Sequence, residues 1–219
     1  MDNLGGRLRT ARLEVGLTLR ELARQADVSP SLVSLIENGK SQPSVATLYT
    51  FARILDVSVD ELFEADPLGG AEPVAAPVAA APLVPANGVA AVLDPVHAWQ
   101  PSEYANRISV AHPTHRPHLE MAAGVVWERL AATPEKGVNF MKITYQPQAT
   151  STAGGELLTH DGYEYGYVVS GEVEVTVGDE LFTLRAGESL GFDSRIPHVL
   201  RNSGDVPFEG VWFVHGVHH

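Results

Sequence analysis

The sequence contains no cysteine among its 219 residues, so we expect no disulfide and no thiolate metal site. It has no apolar run of membrane-spanning length, and its N-terminus lacks the basic, apolar and small-residue order of a signal peptide. Basic residues are few, at 15 Lys and Arg against 27 Asp and Glu, which gives a net charge of −12. These features predict a cytoplasmic chain with no membrane partner and with weak non-specific attraction to polyanions.

The acidic excess is unevenly distributed along the chain. Residues 1–40 carry six Lys or Arg and five Asp or Glu, a balance of +1. Because affinity for DNA depends on local phosphate contacts more than on total charge, the overall acidity does not exclude a DNA-binding segment here.

The sequence pattern changes twice and predicts three zones. Residues 1–65 show helical periodicity broken by short turns, and residues 92–219 show short alternating apolar runs separated by Gly, Pro and Asp. Residues 66–91 are rich in Ala, Pro, Val and Gly, and their repeated prolines predict a semi-extended linker. We therefore expect a multidomain α+β protein, with an all-α N-terminal domain and an all-β C-terminal barrel or sandwich.

Cap residues divide the first zone into five short helices. The first helix is predicted at Leu4–Val15 and ends at Gly16. The other four helices begin after cap residues at Thr18, Ser29, Ser44 and Ser58. Glu21 completes a capping box with Thr18, and Pro30 occupies a first helical position. Short helices joined by tight turns fit helix-turn-helix geometry, and Glu37 is expected to pair with an arginine such as Arg12.

The amino-acid sequence of this zone resembles the phage-repressor-like (XRE) helix-turn-helix family over nearly its whole length. The matching segments are LTLRELA, SPSLVSLIENGK, PSVATL and LDVSVDELF. The resemblance implies that the third helix lies in the DNA major groove. Outward residues of that helix would contact base edges: Ser31, Leu32, Ser34 and Leu35. Four neighbouring residues would contact phosphates: Thr18, Arg20, Asn38 and Lys40. Ser29, which caps the third helix, is a further DNA-binding candidate. The alternative for Ser31 and Ser34 is ordinary solvated helix surface.

A possible metal site lies in the third zone. His160 and Glu164 are four residues apart, so both can face one side of a strand, and His198 follows 34 residues after Glu164. Two imidazoles and one carboxylate suit Fe, Zn, Mn or Ni and leave coordination positions open. The alternative is a set of hydrogen-bonded core residues. Three tyrosines on or near the same strand are expected to line the ligand pocket, with ordinary strand packing as the alternative: Tyr163, Tyr165 and Tyr167.

The segments around these residues resemble the two motifs of the cupin family. HDGYE, followed by a strand and Gly171–Glu172, matches the first motif, and AGESLGFDSRIPHVLRN matches the second. The resemblance implies a double-stranded β-helix barrel. Leu158 stands where many cupins place a further histidine, so the resemblance implies three metal ligands rather than four.

Together the two segments resemble fused helix-turn-helix/cupin regulators. That family implies a DNA-binding transcriptional regulator, not an enzyme, which binds a double-stranded operator as a homodimer and senses a small-molecule effector. Two alternatives remain. One is a mononuclear Fe(II) oxygenase or epoxidase, because hydroxypropylphosphonate epoxidase combines a similar helical domain with a cupin. The other is a metal-stabilised binding module without chemistry. The capped helices, the polar third helix and the basic residues near it favour the regulator.

Overall fold

The computed structural model describes residues 4–63, 111–131 and 137–216. The described residues form a helical N-terminal part and a β-sheet C-terminal part, as the sequence predicts. The predicted linker at 66–91 and the predicted start of the β domain at 92 lie outside the described residues. None of the described helices is long and apolar enough to cross a membrane.

Within residues 4–63, four α-helices and one 3₁₀ helix form the N-terminal part. The α-helices are α1 (Leu4–Glu14), α2 (Leu19–Gln25), α3 (Pro30–Glu37) and α4 (Val45–Leu55). The 3₁₀ helix is Val59–Leu62. The five predicted helical segments are therefore confirmed, although the last one is a 3₁₀ turn.

Side-chain caps begin these helices at the predicted residues. The Thr18 hydroxyl accepts a hydrogen bond from the Glu21 amide, and the Glu21 carboxylate accepts one from the Thr18 amide at 2.7 Å. The Ser29 and Ser44 hydroxyls accept hydrogen bonds from the Leu32 and Thr47 amides and so cap α3 and α4. These bonds satisfy amide groups that have no partner within their own helix.

A buried ion pair joins α1 to the end of α3. The Arg12 guanidinium donates from Nε to Glu37 Oε1 at 2.6 Å and from Nη2 to Oε2 at 2.9 Å. Its Nη1 donates to the Leu17 carbonyl at 2.8 Å. The forked geometry satisfies both carboxylate oxygens, which makes burial of the two charges tolerable. The predicted Arg12–Glu37 pair is confirmed.

Among the described residues, nine strands form the C-terminal part. They are β1 (His118–Met121), β2 (Val125–Arg129), β3 (Val138–Tyr145), β4 (Tyr163–Ser170), β5 (Glu172–Val177), β6 (Glu180–Arg185), β7 (Ser189–Asp193), β8 (His198–Arg201) and β9 (Phe208–His215). One sheet has the order β1-β2-β3-β9-β4-β7 and the other β6-β5-β8. All paired strands are antiparallel, as expected for a cupin.

Strand alternation creates the interior of the β domain. Met141 and Ile143 of β3 are buried, as are Val173 and Val175 of β5, while the residues between them are more exposed. Trp212 of β9 is also buried. Because side chains alternate between the two faces of a strand, every second side chain points into the domain. A polar side chain at one of these inward positions is therefore surrounded by apolar residues.

The start of α4 contacts the β domain through backbone hydrogen bonds. The Ala46 amide donates to the Ser151 carbonyl at 3.2 Å, and the Ala122 amide donates to the Pro43 carbonyl at 2.9 Å. Ala46 lies in the first turn of α4, where a helix offers its amides no internal partner. The β domain thus supplies an acceptor that the helix itself lacks.

Candidate metal centre and DNA-binding surface

The predicted triad comes together inside the β domain. His160 lies in the loop before β4, Glu164 lies on β4, and His198 begins β8. The Nε2 atoms of His160 and His198 lie 2.8 Å and 3.3 Å from Glu164 Oε1. One possible ligand atom from each residue lies within 4.8 Å of the other two. Since His160 precedes the strand, its position depends on the loop and not on strand alternation.

Backbone hydrogen bonds hold both histidines in place. The Leu158 and His198 backbones bond to each other in both directions, at 2.8 Å and 2.9 Å, and the His160 amide donates to the Ser194 carbonyl at 3.1 Å. These bonds tie the loop before β4 to the segments around β7 and β8. The two imidazoles therefore approach the same carboxylate from separately anchored pieces of backbone.

The hydrogen bonds of the other ring nitrogens select the coordinating atoms. His160 Nδ1 lies 3.0 Å from the Asp161 carbonyl oxygen, and His198 Nδ1 lies 2.8 Å from the Ile196 carbonyl oxygen. A carbonyl oxygen only accepts, so each Nδ1 carries a proton. Each Nε2 faces Glu164 Oε1 and donates to it in the metal-free protein, and a bound metal would take the place of that Nε2 proton. Metal-binding histidines commonly have this arrangement.

Trp212 fixes the carboxylate. Its indole Nε1 donates to Glu164 Oε2 at 2.7 Å, which leaves Oε1 directed at the two imidazoles. Gly166 makes room for this contact, because a Cβ there would lie 2.2 Å from the Trp212 ring. The small residue in YEYGY thus permits the indole to lie across β4 and reach the carboxylate.

Charge in the triad favours a cation. Burial alone would raise the pKa of Glu164, but hydrogen bonds from His160 and His198 outweigh burial and hold it well below its ordinary range. The carboxylate is therefore ionised at neutral pH. One carboxylate and two imidazole Nε2 atoms leave coordination positions open, so the triad could bind a divalent transition metal.

The triad lines a small, mostly apolar cavity. Its lining includes Trp127, Tyr145 and Trp212 from the sheet, together with Val45 and Tyr49 from α4. The space available to the centre of a water molecule is about 20 Å³, enough for an ion or a single water.

Tyr49 packs directly on a metal-ligand candidate. Its ring stacks on His160 with centroids 4.0 Å apart and planes 9° apart, and meets Trp127 edge-on at 5.9 Å. Burial, and then the nearby charge of Glu164, raise the pKa of the Tyr49 phenol well above its ordinary value. The helical domain thus contributes a neutral aromatic ring to the wall of the cavity.

The three tyrosines of β4 lie outside this cavity, so the expectation that they line it is wrong. Tyr163, Tyr165 and Tyr167 are 37%, 51% and 49% exposed and alternate with buried Glu164 and Gly166. They line an open groove on the outer face of the larger sheet with Val211 and Phe213. Side chains alternate along a strand, so these odd-numbered tyrosines point to the face of β4 opposite the one to which Glu164 points.

The candidate DNA-binding residues surround α3. Ser31 and Leu35 are exposed, and Ser34 is half-buried. Leu32 is partly buried and packs against the helical core, so its expected outward direction is wrong. It lies four residues before buried Ile36 and shares that face of the helix.

The candidate phosphate contacts and the cap residue Ser29 are accessible. Thr18, Arg20, Ser29, Asn38 and Lys40 are exposed. The Thr18 and Ser29 hydroxyls already cap α2 and α3, and the Asn38 amide donates to the Ser34 carbonyl at 2.7 Å. Their roles in DNA binding stay predictions.

Sequence reasoning missed three residues of the site. Tyr49 resembles any half-buried residue of an amphipathic helix, and Trp212 resembles a strand core residue. Gly166 alone offered a signal, because a glycine inside a strand often marks the close approach of another group.

Two family profiles match the chain. The profile described as Helix-turn-helix matches residues 8–62, and the one described as Cupin domain matches residues 141–214. The HTH-type transcriptional regulator PuuR of Escherichia coli is 25% identical over 201 residues, covering 91% of this chain and 87% of that protein. The HTH-type transcriptional regulator DdrOP3 of Deinococcus deserti is 34% identical over 90 residues, covering 36% of this chain and 70% of that protein.

The fold is found in a solved structure of a transcriptional regulator. A crystal structure of an HTH_3 family transcriptional regulator from Vibrio cholerae aligns with 99% of this chain and 97% of its own, at TM-score 0.60 and 18% identity. Hydroxypropylphosphonic acid epoxidase from S. wedmorenis aligns with 98% of this chain and 97% of its own, at TM-score 0.43 and 18% identity. The second similarity is too weak to support a functional argument.

Proposed function

The chain belongs to the helix-turn-helix family of transcriptional regulators and joins that domain to a cupin domain; on that premise, we propose that its cupin domain senses a small molecule at a divalent metal. The observation that supports sensing is the triad, in which two Nε2 atoms approach one carboxylate oxygen.

The metal proposal is tested by metal content. We expect about one divalent ion per chain in purified protein, because three ligand atoms of suitable type converge. Glu164→Ala and His198→Ala leave two ligands each and should lower the content sharply. Glu180→Ala removes an exposed carboxylate of the smaller sheet and should leave it unchanged. Unchanged stoichiometry in the two triad variants would refute the site.

We propose that different residues contact the phosphates and the bases of the DNA. Lys40 contacts a phosphate, so Lys40→Ala should weaken binding to all sequences and reduce the salt slope by about 1. Ser34 contacts a base edge, so Ser34→Ala should change sequence preference more than general affinity. Selection on genomic fragments, followed by titrations at several salt concentrations, measures both effects. The same uniform loss in both variants would contradict the division.

We infer that the operator is bound by a homodimer. One short recognition helix reads few base pairs, and dimers of such domains bind half-sites about one helical turn apart. The outer aromatic face of the larger sheet, formed by Phe140, Tyr163, Tyr165, Tyr167 and Phe213, supports this inference. All of its rings except that of half-buried Phe213 are exposed, and exposed aromatic rings suit burial against a second copy. A footprint that shows one unsymmetrical site would contradict it.

An oxygenase or epoxidase is the second candidate function, because open positions on a His₂–Glu site also suit Fe(II) and oxygen. The N-terminal helix-turn-helix and the transcriptional regulators among the similar proteins favour the regulator. The distinguishing experiment supplies Fe(II), oxygen and candidate metabolites and follows product and operator affinity together. Sustained turnover without any change in DNA binding would favour the enzyme.

A further inference from the structure

Tyr49 forms the physical connection between the DNA-binding domain and the triad. It belongs to α4, yet its ring stacks flat on His160 and meets Trp127 edge-on. Val45, one turn earlier on the same helix, lines the same cavity. A metal ligand and a helix of the DNA-binding domain are therefore in direct contact, without the linker between them.

The cavity has no space for an organic molecule while Tyr49 stays in place. About 20 Å³ accommodates one water or an ion, whereas an apolar cavity on the order of 150 Å³ is needed to bind a ring such as benzene. Any small-molecule effector that reaches the triad must displace a part of the wall. Among the lining residues, Tyr49 and Val45 belong to α4, whereas most of the others lie on strands that pair with neighbouring strands.

Displacement of Tyr49 would move the whole DNA-binding domain. Buried Leu48, Phe51 and Leu55 hold α4 in the core shared with α1, α2 and α3. The two backbone bonds between the domains, from Ala46 to Ser151 and from Ala122 to Pro43, lie at the same end of α4. Withdrawal of α4 from the cavity would break both bonds.

We propose that Tyr49 closes the triad cavity and that an organic effector enters by displacing it, so that effector binding and docking of the DNA-binding domain exclude each other. This inference rests on the proposed sensing function. Because a ligand shifts an equilibrium only through its preference for one state, this competition supplies the coupling. It does so without any requirement for a stiff linker.

The groups around Tyr49 define the chemical class of the effector. A flat ring the size of the displaced phenol would restore the stack on His160 and the edge contact with Trp127. The buried Trp127 Nε1 has no hydrogen-bond partner among the described residues, so an acceptor atom would satisfy it. The metal adds a preference for an anionic oxygen. The effector is therefore a small molecule that combines a planar apolar ring with a carboxylate or similar group.

Amide exchange tests the docking step in the metal-free protein. The Ala46 and Ala122 amides report the contact directly, because each donates across it. Tyr49→Ala should speed exchange at both amides by at least about tenfold, whereas Tyr49→Phe keeps the ring and should stay within about threefold of the unmodified protein. Leu13→Ala, at a 58% exposed site on α1, should have no effect. The amides of β3 should stay protected throughout. Unchanged exchange in Tyr49→Ala would overturn the closing role of Tyr49.

Benzoate and acetate test the ligand class in protein loaded with Zn(II), because they share a carboxylate and differ by a ring. Benzoate should speed exchange at Ala46 and Ala122 and should bind Tyr49→Ala at least about tenfold more tightly than the unmodified protein. Acetate should gain less from the substitution. Equal benzoate affinity in both proteins, or binding without faster exchange, would overturn the exclusion. A failure to take up Zn(II) would refute the metal site and the anionic class, while the exchange test still decides the role of Tyr49.

Discussion

Removal of the Trp212 indole N–H should weaken metal binding although Trp212 is not a metal ligand. In Trp212→Phe an aromatic ring remains, but Glu164 Oε2 loses the donor that lies 2.7 Å away. The carboxylate is then free to rotate, and Oε1 is no longer held toward the two imidazoles. The substitution therefore tests whether the indole orients the ligand.

The expected size of the loss follows from the bond. A hydrogen bond to a charged group contributes about 1.5–3 kcal/mol. Loss of an outer partner of a metal ligand typically lowers affinity by about 10–100-fold, or about 1.4–2.8 kcal/mol. The two ranges agree, so we expect the dissociation constant for Zn(II) to rise by about 10–100-fold.

The chain offers a matched control at Trp127. This tryptophan lines the same cavity, but its Nε1 has no partner among the described residues. Trp127→Phe deletes the same atoms, so it costs packing without the loss of a bond to Glu164. Its Zn(II) dissociation constant should stay within about threefold of the unmodified protein.

Competition of each protein with a chromophoric chelator for Zn(II) gives the three dissociation constants, and urea unfolding checks that each variant is folded. If Trp212→Phe and Trp127→Phe raised the constant by the same factor, the effect would be one of packing. The argument that the indole positions the carboxylate would then be refuted.

Three further predictions concern stability and assembly. Glu37→Ala leaves the Arg12 guanidinium buried without its carboxylate, so urea unfolding should show a loss of about 3–5 kcal/mol. A loss below about 1 kcal/mol would contradict this. Because the folded protein holds the pKa of Glu164 below its ordinary value of 4.5, the carboxylate stabilises the metal-free fold above that pH, and this stability declines as the pH falls below it. Acid titration of Glu164→Gln should show a shallower decline, and an identical curve would refute the assignment. Tyr165→Asp should shift the protein toward monomer in sedimentation, whereas Leu181→Asp, at a 63% exposed site on the other sheet, should not; a dimer that survives Tyr165→Asp would exclude the aromatic face.

The features that could be predicted from the sequence depend on short-range signals. The caps at Thr18, Ser29 and Ser44 act within one helical turn, so their residue types are sufficient to place the helix starts. The His160, Glu164 and His198 set was recognisable from ligand type and spacing within two motifs. The alternation of side chains along a strand also indicates that Tyr165 points away from Glu164, because the two residues are neighbours on β4.

The contacts of Tyr49 and Trp212 could not be predicted in the same way. Tyr49 and His160 are 111 positions apart in the sequence, and their contact depends on how α4 meets the β domain. The bond from Trp212 to Glu164 depends on the pairing of β9 with β4, in which Trp212 lies opposite Gly166. Neither arrangement leaves a periodic pattern in its own segment.

The alternation of β4 has a consequence for changes in chain length. Its inward residues place Glu164 beside the triad and Gly166 beneath Trp212, while its outward residues form the aromatic groove. A substitution on the outward face leaves the direction of the inward side chains unchanged. Insertion or deletion of one codon within the strand would exchange the two faces, which would carry Glu164 outward and the tyrosines inward. We therefore expect substitutions at the outward positions of this strand to be tolerated far better than single-residue indels, with length variation confined to the loops on either side of it.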